Sequence, residues 1–233
     1  MIILGGCHVA GYPIGVAQAF PTLLGEILDA TLVAQVPNLQ FVHLPQHLQT
    51  IAALRPSHVI LQLGNYEFSG SLRNLLRQFN QVLGRRPVKK LFTKEASCPP
   101  VQLTDVPVVS WLICYVRLVG LGFFTAVLWL FSARHYRVFH ALNTCMRQHP
   151  NTIFVFLSPL PCLDPVANTM RRFGGWLLRR RLAHLSNCQW LDSHKLVRPD
   201  RHLFVDLSHL NLLAHKILAY GLAAALLSYV DYL

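Results

Sequence analysis

Three residues of this 233-residue chain have the types and settings for acyl chemistry: Asp206, His209 and Cys7. Asp206 and His209 stand three apart in Phe204-Val205-Asp206-Leu207-Ser208-His209-Leu210-Asn211, directly before a long apolar run over 212–230. A carboxylate that close can orient an imidazole ring, which supplies two members of a nucleophile–base–orienter relay. The nucleophile is expected at the other end of the chain, in Ile2-Ile3-Leu4-Gly5-Gly6-Cys7-His8, where an apolar run ends in glycines and a thiol. The ordinary alternatives are a helix cap beside a surface histidine for the first pair, and a small buried hydrophobe for Cys7.

These residues meet only if the chain between them folds back. Residues 1–6 read as a buried parallel strand, and 14–30 as a helix broken at Pro21. A second strand is expected over 39–44, bounded by Pro37 and Pro45, then a short helix over 46–54. Residues 58–63 (His-Val-Ile-Leu-Gln-Leu) form a strand stopped by Gly64. Residues 71–83 form a helix with Arg73 and Arg77 off its apolar face. Pro87, Pro99 and Pro100 with a basic cluster make 85–101 a loop or insertion, and 108–131 is nearly all apolar with a single charge at Arg117. A more polar helix follows over 132–149. A strand over 152–157 ends at Ser158-Pro159, and Asp164 caps a helix running from Pro165 to about residue 185. A last strand over 189–191 precedes the C-terminal helix.

Strands alternating with helices imply βαβ units: a three-layer α/β/α sandwich around a mostly parallel sheet, in one domain over 1–233 with an insertion at 85–131. Ligands of such sheets bind beyond the carboxyl ends of the strands. Cys7, Gly64-Asn65, Ser158 and the 206–209 loop are all expected on that edge.

Composition narrows the partners. The chain is 53% hydrophobic with a mean hydropathy of +0.38, and 21 Lys and Arg against 10 Asp and Glu give it a charge of +11. That balance favours anionic partners; without any nucleic-acid-binding signature it points to an anionic membrane surface rather than to nucleic acid. Arg171, Arg172, Arg179, Arg180 and Arg181 read as a solvated helix face, able to dock such a surface together with Arg85, Arg86, Lys89 and Lys90. Six cysteines without a CxxC pair read as reduced thiols, and no basic segment precedes the first apolar run, so a cytoplasmic location, peripheral at the membrane, is expected. No HExxH or paired Cys/His spacing occurs, and His43 with His47 is an i,i+4 coincidence; no metal and no cofactor are expected. Residues 108–131 are long enough to span a bilayer. A single crossing would put Cys7 and His209 on opposite sides, so the segment is expected to be buried, interfacial or partner-binding.

The blocks resemble those of the SGNH (GDSL-like) hydrolase family over almost the whole chain. The final Asp-x-x-His block is intact as Asp206-Leu207-Ser208-His209. The first, Gly-Asp-Ser in the family, is matched by Gly5-Gly6-Cys7-His8-Val9-Ala10-Gly11-Tyr12. The third, Gly-x-Asn-Asp, is matched by Leu63-Gly64-Asn65-Tyr66-Glu67, in which strict register puts Tyr66 at the asparagine and Glu67 at the aspartate. Cys7 stands where the serine would be and Gly6 where the aspartate would be. The second block's oxyanion-donating glycine has no counterpart, because no glycine lies between Gly25 and Gly64. The resemblance implies a flavodoxin-like sheet and an esterase or acyl hydrolase acting on an ester or thioester, with Cys7 as nucleophile, His209 as base and Asp206 orienting it. Gly6, Gly64, Asn65 and His8 are implied at the oxyanion or substrate. A thioester intermediate also admits acyltransferase chemistry. The rival is a catalytically degenerate, binding or membrane-associated protein of the same fold.

Overall fold

The computed structural model of the chain describes residues 1–82, 111–182 and 185–230. Its frame is a five-stranded, all-parallel sheet of β1 (Ile2–Leu4), β2 (Ala34–Val36), β3 (His58–Gln62), β4 (Ile153–Leu157) and β5 (Cys188–Leu191), in the order β2-β1-β3-β4-β5. That is the doubly wound, flavodoxin-like order, with the chain reversing direction at β1/β3. Ile2 lies opposite both Ala34 and Val59, so the first strand is central. Pleating sorts the strand residues between two cores. Ile2, Leu4, Val59, Leu61, Phe154 and Phe156 face one, and Ile3, Ile60, Val155 and Leu157 the other.

The helices cover both faces. They are α1 (Phe20–Ile27), α2 (Leu44–Leu54), α3 (Leu72–Val82), α4 (Trp111–Phe131), α5 (Ala133–Gln148), α6 (Pro165–Leu182), the short α7 (Ser193–Leu196) and α8 (Leu212–Val230). α1 and α8 pack against one face through Phe20, Leu24, Ala214, Leu218 and Leu222. α2, α5 and α6 cover the other through Leu44, Leu48, Leu142, Met146 and Leu178, with Leu121 and Leu128 of α4 joining that core. The three-layer α/β/α sandwich is as the sequence implied.

Some expectations change. The second strand is Ala34–Val36, not 39–44. An edge strand of half-buried Ala, Gln and Val carries no apolar run to mark it. Leu39, Phe41 and Leu44 instead bury themselves from a 3-10 turn (Phe41–His43) and the start of α2, where Pro45 takes a first-turn position. Pro21 likewise begins α1 rather than breaking a longer helix. Asp164 does cap α6, its Oδ1 accepting from Ala167 N at 2.7 Å. Arg171 is not on a solvated face: it is 6% exposed and donates to the carbonyls of Leu160 and Pro161, tying down the loop after β4. Of the 85–131 insertion, residues 85–110 lie outside the described residues.

Candidate active site

The turn after β1 is shaped by glycine. The strand continues into Gly5, whose N–H bonds Val36 O and whose carbonyl accepts from Leu39 N. A Cβ there would lie 2.7 Å from Val9 Cγ2 and 2.8 Å from Gln62 Cβ, so no larger residue fits. Gly6 donates to Gln62 Oε1 at 2.9 Å and accepts from Val9 N. Cys7 then opens a series of turns rather than a helix, with Tyr12 N returning to its carbonyl. A helix N-terminus therefore does not act on this thiol. Half-buried, Cys7 opens onto a cleft of about 390 Å³ walled by Ala10, Tyr12, Pro13, Val16 and Asn38.

The 206–209 loop is held as a closed turn. Val205 N bonds His209 O at 2.9 Å, and Phe204 bridges Leu210. Asp206 Oδ1 accepts from Ser208 N at 2.7 Å and from His209 N at 2.8 Å, while Oδ2 meets His209 Nδ1 at 2.7 Å. The α8 cap is a different residue, Asn211, whose Oδ1 accepts from Ala214 N. Asp206 is thus free of capping duty and committed to the histidine. Burial pushes its carboxyl up, but the Ser208 N–H and the His209 bonds outweigh that and hold it below the usual range. An ionised carboxylate only accepts, so His209 Nδ1 carries the proton and Nε2 is left for chemistry. Burial pulls the His209 pKa down, but hydrogen bonding and charge from the Cys7 side chain, with those from Asp206, override it, and the net shift is upward. Cys7 and Asp206 thus act on one imidazole, from residues 202 positions and three positions away in the chain.

Behind His209 the site is dry. His8 is 1% exposed, its ring 5.7 Å from that of His209 and 5.8 Å from that of His215. Burial, then the neighbouring His215, His209 and Arg171, keep His8 neutral, with a pKa well below the ordinary value. This places His8 under the base rather than on the cleft wall. His215 accepts from Phe20 N through Nδ1, and burial lowers its pKa to about 4. Tyr12 closes the outer side, edge-on to His209 at 4.7 Å.

In the 64–67 turn it is Asn65, not Tyr66, that lies beside Gly6. Gly64 has φ +90, and a Cβ would strike Phe68 and Pro159 at 2.9 Å, so its contribution is the turn itself. Asn65 Oδ1 accepts from Leu160 N at 2.6 Å, which leaves its buried Nδ2 unpaired beside Gly6. Tyr66 points elsewhere, its hydroxyl bonded by Arg77. Glu67 is buried under Phe41 N, to which Oε1 bonds at 2.6 Å; burial raises its pKa to about 7. Ser158 turns towards Ser193 and Asp192 at the β5 end.

Sequence reasoning missed two residues. Gln62, 1% exposed on β3, fills the space a side chain at position 6 would enter; an inward polar residue ending an apolar strand was its signal. Asn38, on the loop leaving β2, adopts φ +55, the conformation a glycine would take, and lines the cleft with Cys7. An asparagine after proline is the residue type that tolerates that conformation. Among the described residues no group of three His, Cys, Asp or Glu side chains is placed to hold a metal ion.

No protein-family model and no curated protein matches this chain. Solved structures do. A protein of the lipolytic G-D-S-L family from Desulfitobacterium hafniense superposes with a TM-score of 0.54 at 15% identity, over 96% of this chain and 97% of that one. A lipolytic G-D-S-L family member from Veillonella parvula gives 0.51 at 11% identity, over 94% and 93%. The psychrotrophic esterase EstA from Pseudoalteromonas sp. gives 0.52 at 13% identity, over 99% and 97%. These likenesses run end to end and, with the β2-β1-β3-β4-β5 sheet, give this chain the fold of the SGNH, or GDSL, hydrolases.

Proposed function

We propose that this protein hydrolyses esters or thioesters of small or lipid-like acyl groups through Cys7, His209 and Asp206. The observation that carries the reading is the 2.7 Å contact of Asp206 Oδ2 with His209 Nδ1, on an imidazole whose pKa the nearby Cys7 side chain helps to raise. His209 Nε2 takes the thiol proton as Cys7 Sγ attacks the acyl carbon. The same nitrogen returns that proton to the departing alcohol, leaving a Cys7 thioester. Water, deprotonated by His209, then releases the acid and restores the thiol. The Cys7 N–H and Asn65 Nδ2 are the donors for the developing oxyanion, with the Asn38 amide next in reach of the cleft. An alcohol or thiol competing with water at the second step would make the same site an acyltransferase.

The test is turnover of p-nitrophenyl acetate and butyrate by the wild type, Cys7→Ala, Cys7→Ser and His209→Ala. The expected result is a loss of at least about 1000-fold in kcat/KM for both alanine variants, with an acyl adduct on Cys7 in the wild type at short times and none in Cys7→Ala. Turnover indifferent to Cys7, or none in the wild type with any acceptor, would return the chain to the rival reading, a binding protein on a hydrolase fold.

A further inference from the structure

α4 is apolar all the way round, and such a helix belongs inside a large core or in contact with lipid. Its 19-residue stretch Ile113–Phe131 has a hydropathy of 1.9, yet only 22% of its window is buried. The buried side, including Leu121, Thr125, Leu128 and Trp129, packs toward α6 and the sheet. On the other side Val116, Phe123, Phe124 and Phe131 each leave three-fifths or more of their surface exposed, in a stripe that Ile113 and Leu130 continue. The neighbouring α3 adds a second stripe at one-turn spacing, Leu72, Leu76 and Phe79, all about half exposed or more. Isolated exposed apolar residues mean little; two adjacent stripes of this length mark a contact surface.

Among the described residues, the charges carried by the helices of this face and by the next helix have one sign. α3, α4 and α5 carry Arg73, Arg77, Arg117, Arg134, Arg137 and Arg147, and no acidic residue. Arg73 and Arg77 are exposed on α3, the helix of the second stripe. Apolar side chains edged by arginines complement an anionic lipid surface, where the apolar face enters the headgroup–acyl boundary and the cations meet the lipid phosphates. We propose that the exposed α3–α4 face docks this protein on anionic bilayers, with α4 lying in the plane of the interface. Spanning is excluded by connectivity. β3 and β4, which flank α3–α5, are hydrogen-bonded neighbours in one sheet, and α5, separated from α4 by Ser132 alone, packs against α2 over that sheet. α4 is also tied to the carboxyl edge of the sheet: Arg117 donates to Gly70 O at 2.9 Å, and the Trp129 ring lies 4.9 Å from Phe41 and 4.8 Å from Phe68. Docking therefore sets the edge that carries Cys7 beside the bilayer, where long-chain esters reside.

The inference rests on the surface and not on the acyl chemistry, so the two are tested separately. The full chain is floated with phosphatidylglycerol and with phosphatidylcholine vesicles, as wild type and as the Phe123→Glu/Phe124→Glu variant, which leaves the buried side of α4 intact. The expected result is co-flotation with phosphatidylglycerol that weakens in high salt, falls about tenfold or more on phosphatidylcholine, and falls about tenfold or more in the variant. Circular dichroism and turnover of soluble p-nitrophenyl acetate, if the wild type shows any, should be unchanged by the substitutions. Wild-type protein that stays with the lipid-free fraction, or a variant that floats as well as the wild type, overturns the proposal. So does a stable dimer, by light scattering, that the substitutions dissociate without any vesicle binding: the face then belongs to a second copy.

Discussion

Two turns at the same sheet edge each hold a carboxylate, and they hold it in opposite states. In the 206–209 turn Asp206 is about a quarter exposed, takes two backbone N–H groups and an imidazole, and stays ionised. In the 64–67 turn Glu67 is 6% exposed, has one backbone N–H on Oε1 and nothing on Oε2, and is held protonated to about pH 7. The residue types are nearly equivalent; the number of donors and the access to water decide the charge. One carboxylate can steer a base. The other is a neutral strut between the third strand's turn and Phe41.

Breaking the working turn should have the largest effect. Asp206→Asn keeps an oxygen for the Ser208 and His209 N–H groups but presents an amide to Nδ1, which favours the wrong tautomer. A fall of about 100- to 10,000-fold in esterase kcat/KM is expected. Glu67→Gln should leave kcat/KM within about threefold, and a loss matching that of Asp206→Asn would mean that both carboxylates serve the same chemistry. Asn65→Ala tests the 64–67 turn's own link to chemistry: a drop of about 10- to 100-fold in kcat with KM little changed is expected, rescued by Gln if the amide rather than the turn matters.

Next come the opposite signs in stability. Glu67, with its folded pKa raised, contributes stability that is full below its unfolded value near 4.5 and is lost as pH rises through about 7. Glu67→Gln should therefore stabilise the protein by roughly 1–3 kcal/mol above pH 7 and hardly at all at pH 4, read by denaturant melts at both. Asp206, with its pKa lowered, contributes above 3.8 and loses that contribution as pH falls through its lower folded value, so Asp206→Asn should differ most from the wild type above pH 4. The smallest effect is at His135, stacked on Trp129 at 4.3 Å and held neutral by burial to about pH 4. With its folded pKa lowered, it costs stability as pH falls from 6.5 towards 4. His135→Phe should move the acid-unfolding midpoint down by about half a pH unit.

What could be read from the sequence was what is local. Asp206 and His209 are three residues apart, and a turn before a helix brings them together without help from the rest of the fold. Cys7 was found because a strand ending in Gly-Gly announces an edge. Gln62 and Asn38 carry only weak local signals, a polar residue ending an apolar strand and an asparagine after proline, and they join the site through strand pairing and a left-handed backbone. Glu67 was legible as a carboxylate but not as a neutral one, since its state is set by burial in the folded core, which outweighs the Phe41 N–H bond. The apolarity of α4 was plain, but an all-apolar helix looks the same whether its far side meets protein or not; only the packing of Leu121 and Leu128 against an open Phe123 and Phe124 separates the two.

The central place of β1 also bears on how the protein is made. The strand that delivers Cys7 is synthesised first, yet its neighbour β3 arrives more than fifty residues later and the imidazole some two hundred residues later. Contacts of that separation form late in folding. A chain still short of α8 therefore holds Cys7 without His209 beside it, and the two meet only as α1 and α8 close over the sheet.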